Sequence, residues 1–184
     1  MNVILKILFK FRAKYYAKHL FPYLKGTDKV LDIGAGSGFI SEHLAEKCSM
    51  ELVDVKDYNQ TSLPLKIFDG EHLPYRNSSF DKCILVTVLH HASLPRQIKL
   101  LKEAKRVGKK VIIIEALYYN SIQSVWLKFY DLFLNFIAGV PVKWTFHDDK
   151  TWKQLFGKVG LKLKSEKEFP GAIGLIKLKL YELA

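Results

Sequence analysis

Five apolar runs of strand length divide the chain, and between them the hydrophobic spacing changes from continuous to helical. Val30-Leu31-Asp32-Ile33 and Lys82 to Leu89 read as buried strands and Val111 to Ile114 as a central one, with Met50 to Val55 and Leu65 to Phe68 as short strands between them. Helical spacing occupies Val3 to Leu24, the stretch from Phe39, Ser93 to Val107, Tyr118 to Trp144 and Trp152 to Leu161. Leu161 to Glu166 and Leu175 to Tyr181 then alternate strictly. That is the pattern of half-exposed edge strands whose lysines discourage edge pairing. Strands alternating with helices predict an α/β chain around a largely parallel sheet.

The junction after the first strand carries the first chemistry. Gly34-Ala35-Gly36-Ser37-Gly38 is a tight turn into a helix, and such a turn leaves amide N–H groups bare for a carboxylate. It is not the dinucleotide fingerprint G-x-G-x-x-G, because the third glycine comes one position early and Phe39 stands where it belongs. No lysine or arginine lies between Val30 and Glu46 to meet a pyrophosphate, whereas Asp32 stands two residues before the first glycine. An acidic, phosphate-averse turn suits a ligand with positive charge and a ribose, and S-adenosylmethionine has a sulfonium, an ammonium and one carboxylate. Asp54 ends the second strand about twenty residues past the turn, the spacing at which a carboxylate reaches a ribose diol.

Val30 to Gly38 resembles the first motif of class I S-adenosylmethionine-dependent methyltransferases, hydrophobic-D-hydrophobic-G-x-G-x-G. Asp69-Gly70-Glu71-His72-Leu73-Pro74-Tyr75 followed by Asn77-Ser78-Ser79-Phe80-Asp81 is similar to the "GDAExLPFPDxSFD" segment of the type 11 group, which includes ubiquinone and menaquinone biosynthesis methyltransferases. Gly70 and Tyr75 replace the usual alanine and phenylalanine. The fourth apolar run with Leu89-His90-His91, and the "WxxLFxxxGL" run from Trp152, extend the resemblance from about Lys14 onward.

The resemblance implies a Rossmann-like, doubly wound seven-stranded sheet of order 3-2-1-4-5-7-6 with strand 7 antiparallel, a leading N-terminal helix, and a helical lid after strand 5. It implies S-adenosylmethionine as cofactor, with S-adenosylhomocysteine as product. The implied cofactor-binding residues are Asp32, Gly34, Ala35, Gly36 and Gly38, Asp54 and Val55, Asp69, Gly70 and Glu71, and backbone at Val86 and Thr87 beneath the methionine moiety. Asp69 is the acid expected to accept from the adenine amine. Adjacent histidines at a strand end point in opposite directions, so His91 alone is a general-base candidate, and a pocket-floor role is its alternative. His147, where the lid ends, is a second candidate acceptor-site residue. His147-Asp148-Asp149 reads as a helix start rather than a metal site, with an aspartate or Thr151 as N-cap and Gln154 completing a capping box.

The 184 residues predict one domain, with residues 1–26 as a basic amphipathic helix and 118–146 as a lid capping the acceptor pocket. Cys48 and Cys83 fit a reducing compartment and core positions. No apolar run is long enough for a transmembrane helix and no secretory signal is visible, so the expected location is cytoplasmic. The formal net charge of +11 changes this picture, since it suits an anionic partner. Met1 to Phe11 reads as a membrane-interface segment, and Lys14 to Leu24 as a helix packed on the sheet.

The acceptor expected from this reading is a small molecule, lipid-like or quinone-like, held in solution or at an anionic membrane surface. An RNA methyltransferase using the basic surface, and a non-catalytic cofactor-binding or membrane-peripheral accessory protein, are the alternatives. The sequence leaves the oligomeric state open.

Overall fold

A computed structural model describes residues 3–120, 122–125, 127–129, 132, 145–172, 174 and 176–184. Seven strands form one sheet: β1 (Lys29–Ile33), β2 (Ser49–Asp54), β3 (Leu65–Ile67), β4 (Phe80–Val86), β5 (Gly108–Leu117), β6 (Leu163–Pro170) and β7 (Lys177–Leu183). Their order is β3-β2-β1-β4-β5-β7-β6. β1 to β5 are mutually parallel, and β7 runs antiparallel to both β5 and β6. The expected topology is therefore the one observed. It reverses direction of progression between β1 and β4, where an open α/β sheet forms a crevice at its carboxyl ends.

Alternation along the central strands divides the core in two. Leu31, Ile33, Cys83, Leu85, Val111 and Ile113 face one layer of helices, α3 (Leu94–Val107) and α4 (Asp149–Lys158), meeting Leu101, Ala104, Trp152 and Phe156. Val30, Ile84, Val86, Ile112 and Ile114 face the other, where α1 (Val3–Leu20) contributes Tyr16, Ala17 and Leu20 and α2 (Phe39–Leu44) contributes Leu44. Successive residues of a strand point to opposite faces, so an apolar run with no polar alternation needs both layers.

Three expectations change. First, β7 is interior and buried on both faces, so only β6 is an edge strand on that side. The alternating lysine that looked exposed, Lys179, is buried, and Asp149, Glu166 and Glu168 surround its ammonium at 2.9, 3.3 and 3.5 Å. Second, no connection separates the helix read to Val107 from the strand read from Val111, because α3 passes directly into β5 and Gly108 already pairs with Phe80. A Cβ at Gly108 would lie 2.6 Å from Cys83 Sγ, which is why glycine stands at that junction. Third, of the two N-caps expected for α4 the aspartate is the one observed, Asp148 accepting from Thr151 N–H at 2.8 Å. That makes Thr151, not Gln154, the third helical residue, and the capping box through Gln154 does not form.

α1 ends in a 3-10 turn at Phe21–Tyr23, where Pro22 stops the helix. Buried Lys82 of β4 ties this turn down, donating to Tyr23 C=O and to Asp28 Oδ2, the latter at 2.6 Å. After β5, residues 122–125, 127–129 and 132 are helical. Leu127 is buried, while Ile122, Val125, Phe129 and Leu132 are exposed. The rest of the expected lid, including Trp126, Tyr130, Phe133, Leu134, Phe136, Ile137 and the Gly139-Val140-Pro141 stop, lies outside the described residues. Both cysteines are free and buried.

Candidate cofactor and acceptor site

The glycine turn sits on the carboxyl ends of β1 and β2 and is held from below. Gly34 and Ala35 N–H both donate to Val53 C=O, at 2.8 and 3.1 Å, Gly36 N–H donates to Asp54 Oδ2 at 2.8 Å, and Gly38 N–H donates to Ala35 C=O. The expectation of bare amides therefore fails at these four positions. The parallel register of β1 against β2 brings the end of β2 under the turn and uses them. Gly34 has φ +78° and a Cβ there would lie 2.6 Å from a Val88 methyl, so the turn approaches the end of β4 closely. At Gly38, φ is +75° and a Cβ would meet Asn59 Oδ1 at 2.4 Å. Gly36 differs, since a Cβ built on it meets nothing within 4 Å. The turn is closed at both ends and open at its centre.

Carboxylates at the strand ends are held without cations. Asp32 is buried and accepts from Ser41 Oγ at 2.5 Å, fastening α2 to β1. Burial pushes its carboxyl up to about 7, with the Asp54 charge adding to the rise and the Ser41 hydroxyl opposing it. Asp54, at the end of β2, accepts from Gly36 N–H and, at 2.7 Å, from Val55 N–H. Burial raises it too, against those amide bonds. Glu115, fully buried near the end of β5, accepts from Val88 N–H at 3.0 Å, from Leu89 N–H at 2.7 Å and is 2.7 Å from His90 Nδ1. None of these partners is lysine or arginine. Elsewhere Asp28 pairs with Lys82, Glu51 with Lys29, Glu103 with Arg106, and Glu182 with Lys110, all within 2.8 Å.

The segment after β4 is bent sharply. Thr87 has φ +54°, a costly conformation for a β-branched residue, and its N–H donates to Ile114 C=O at 2.7 Å. Leu89–His91 then forms a 3-10 turn. This overturns the expectation that the two histidines point apart, which presumed a strand. On the turn their ring centroids are 4.1 Å apart, and His90 also stacks on Phe146 at 4.5 Å. Gln97 of α3 braces the group, donating to Leu89 C=O at 2.9 Å and Thr145 C=O at 3.1 Å, with His147 Nε2 2.8 Å from its Oε1. Burial lowers the His147 pKa.

Val55 and the 69–72 loop form the other end of the crevice. Phe68 N–H donates to Asp54 C=O at 3.0 Å, and a Cβ at Gly70 would lie 3.0 Å from Val55 Cγ1. The Asp69 carboxylate is exposed and accepts from Glu71 and His72 N–H, both at 2.7 Å, with His72 Nδ1 at 2.9 Å. The His72 amide and imidazole, then the Glu71 amide, hold Asp69 well below the usual carboxylate range. The Glu71 side chain turns away to α3, 2.5 Å from Lys99 Nζ.

Residues 31–113 match the family model of the methyltransferase domain, type 11. Over these residues the chain is similar to a methyltransferase domain. Among solved structures, a S-adenosylmethionine-dependent methyltransferase from Archaeoglobus fulgidus superposes with TM-score 0.69 at 16% identity, covering 99% of both chains. Magnesium protoporphyrin IX methyltransferase from Synechocystis, solved with bound S-adenosylhomocysteine, gives TM-score 0.67 at 14% identity over 100% of this chain and 87% of that one. An uncharacterized protein of Methanocaldococcus jannaschii, MJ1252, is 35% identical over 91 residues, 47% of this chain, and this match spans only 35% of that relative's length.

Within the matched region the glycine turn, Asp32, Asp54, Val55, Gly70, Val86 and Thr87 gather along one edge of the sheet, and Asp69 lies at its outer end. His91 and His147 belong to one cluster through His90, Leu89 and Gln97. Sequence reasoning missed Glu115, Val88, Gln97 and the Asn59–Thr61 loop over Gly38. For Glu115 a signal existed: it is an acid closing an apolar strand, as Asp32 and Asp54 are. Among the described residues no group of three or more histidines, cysteines and acids is placed to hold a metal ion, and no helix is long and apolar enough to cross a membrane.

Proposed function

We propose that the protein transfers the methyl group of S-adenosylmethionine to a small apolar acceptor. The observation that carries this is the set of strand-end carboxylates, Asp32, Asp54 and Glu115, that have no lysine or arginine partner among the described residues, in a chain with net charge +11. Lysines and arginines abundant enough to pair with acids elsewhere are kept from this edge. The crevice is thereby matched to a cation from outside. The open centre of the turn at Gly36 leaves room for it.

In this reading Asp54 receives the ribose hydroxyls on the lone pairs that its two amide bonds leave. Val55 and Gly70 flank the adenine, with Asp69 at its amino edge. The turn and the Val86-Thr87 backbone hold the methionine portion. The cofactor supplies an electrophilic methyl whose bond to sulfur breaks, leaving the electron pair on a neutral thioether, as an acceptor lone pair forms the new bond. The chain supplies alignment and exclusion of water, with His91 or His147 taking a proton where the acceptor has one to lose. Glu115 and Phe146 position His90 beneath them. The apolar helix after β5 favours an apolar acceptor, because it opens onto the same edge.

Calorimetric titration tests the shared premise. S-adenosylmethionine and S-adenosylhomocysteine bind the parent, and Asp54→Ala weakens both by about 10- to 100-fold, as loss of charge-assisted hydrogen bonds predicts. An Asp54→Ala protein that binds as tightly as the parent refutes the ribose assignment. Incubation with methyl-labelled cofactor and lipid extracts, quinone precursors or total RNA then tests the acceptor. Label confined to RNA overturns the apolar-acceptor reading.

A further inference from the structure

We propose that the outward face of α1, together with the exposed helix after β5, docks this protein on an anionic lipid bilayer with the cofactor edge facing the membrane. This goes beyond the methyl-transfer reading and does not depend on it. α1 packs through Ala13, Tyr16, Ala17 and Leu20, with Leu5 and Phe9 half-buried on the same side. At ~100° per residue the opposite side collects Ile4, Ile7 and Phe11, with Val3 and Leu8 at its margins. Val3 is 72%, Ile7 65% and Phe11 57% exposed. Lys6, Lys10, Lys14 and Lys18 recur every fourth residue but do not share one face, because the row drifts by ~40° at each step. Lys14 and Lys18 consequently fall on this same outward side. The face is apolar over its first three turns and basic over the last two.

That division matches the depth profile of a lipid interface, with aliphatic groups among the acyl chains and lysines at the headgroups. Lys6, Lys10, Arg12, Lys14, Lys18 and Lys25 precede the first acid of the chain, Asp28. From the packed neighbour α2, Glu42 lies 3.7 Å from Lys10. RNA is matched less well, since an aliphatic tip offers its phosphates and bases neither hydrogen bonds nor stacking.

Topology places this face beside the crevice. Lys10 Nζ lies 5.2 Å over the ring of Phe39, the residue directly after the glycine turn. Tyr15 donates to Pro170 C=O, at the same end of the sheet as Leu117, through the pairings Pro170 with Lys177 and Lys177 with Leu117. The chain then descends to Tyr23, held by Lys82 near the opposite end. The first turns of α1 therefore project past the carboxyl edge. The helix after β5 leaves that same edge, exposing Ile122, Val125 and Phe129, while its Leu127 joins the core cluster of Tyr16 and Leu20. Two apolar exposed faces thus flank the entrance that an apolar acceptor needs.

The test is co-sedimentation of the full chain with phosphatidylglycerol/phosphatidylcholine vesicles and with phosphatidylcholine alone. The parent binds anionic vesicles at least ~10-fold more tightly than neutral ones, as several basic residues at a charged surface predict. Ile7→Asp/Phe11→Asp weakens that binding by ~10-fold or more with an unchanged thermal midpoint, because both side chains are already in water. Lys14→Glu/Lys18→Glu removes the preference for anionic lipid. No vesicle binding by the parent, or undiminished binding by Ile7→Asp/Phe11→Asp, overturns the proposal. So does salt-sensitive binding to structured RNA in place of vesicles, or a lipid-free dimer that Ile7→Asp/Phe11→Asp dissociates. Calorimetry with S-adenosylmethionine on the same samples reports separately on cofactor binding.

Discussion

Asp32 offers a direct measurement of what the crevice costs the fold. Its carboxyl is buried, has Ser41 Oγ as its hydrogen-bond donor, and is raised to about 7 by that burial. An unfolded aspartate titrates at ~3.9. Between these values the native state keeps a proton that the unfolded chain has released, so raising the pH through this window favours unfolding. The gap corresponds to about 4 kcal/mol by linkage, fully expressed above pH ~7 and absent below pH ~4. Asp32→Asn is neutral throughout and retains an oxygen for the Ser41 hydroxyl. The difference in unfolding free energy between variant and parent, from urea titrations at pH steps of about one from 4 to 8, should be near zero at pH 4. It should grow in the variant's favour by about 4 kcal/mol and flatten above 7. Contributions from acids that do not interact with Asp32 cancel in that difference, and the charge of Asp54, which adds to the rise, is part of what it reads. A difference independent of pH, or a variant less stable than the parent at pH 8, refutes the argument. Saturating S-adenosylmethionine should shrink the gap, because a cation in the crevice draws Asp32 back toward ionisation and releases its proton.

Two other perturbations probe the same edge. Glu115→Gln keeps an acceptor for the Val88 and Leu89 amides but turns a donor toward His90; a loss of ~1–3 kcal/mol is expected from urea unfolding, and an unchanged midpoint contradicts the bonding described. Thr87→Gly relieves the strain at φ +54° and should stabilise by ~1 kcal/mol, whereas Thr87→Val should not; a lower urea midpoint for the glycine variant shows that the strain is not carried there.

The centre of the sheet was legible because β1, β4 and β5 are buried on both faces and therefore announce themselves as continuous apolar runs, whereas the edge strands β3 and β6 are largely exposed. Its strand order came from family resemblance, since periodicity in β1 to β5 carries no information about neighbours. The alternation of β7 misled for a physical reason. Lys177 is exposed near the strand end, but Lys179 is buried by acids supplied from α4 and β6, and a sequence does not display where a counter-charge comes from. The histidines misled in a related way. Their direction depends on whether the backbone continues extended, and the positive φ at Thr87 ends the strand one residue after Val86. The stripe of α1 was legible, but not which way it faced. Ala13, Ala17 and Tyr16 form the packed side because small residues let the helix approach the sheet closely, and that leaves Ile4, Ile7 and Phe11 outward.

Charge segregation links these observations. A chain with net charge +11 could neutralise Asp32, Asp54 and Glu115 with its own lysines, as it does for Asp28 through Lys82 and for Asp149 through Lys179. At the carboxyl edge it uses backbone N–H groups and a hydroxyl instead, and for Asp32 a retained proton. Dipolar donors hold a carboxylate in place without occupying the volume of a cation or cancelling its full charge. The edge therefore keeps a negative potential in a low-dielectric crevice, while the lysines of α1 set a positive one just outside it. A cation is drawn inward and an anionic surface is held at the rim, so the two fields do not compete for the same ligand. Placing lysine in the crevice should abolish the first attraction and leave the second intact. That separability distinguishes a built arrangement from a basic protein whose acids happen to be buried.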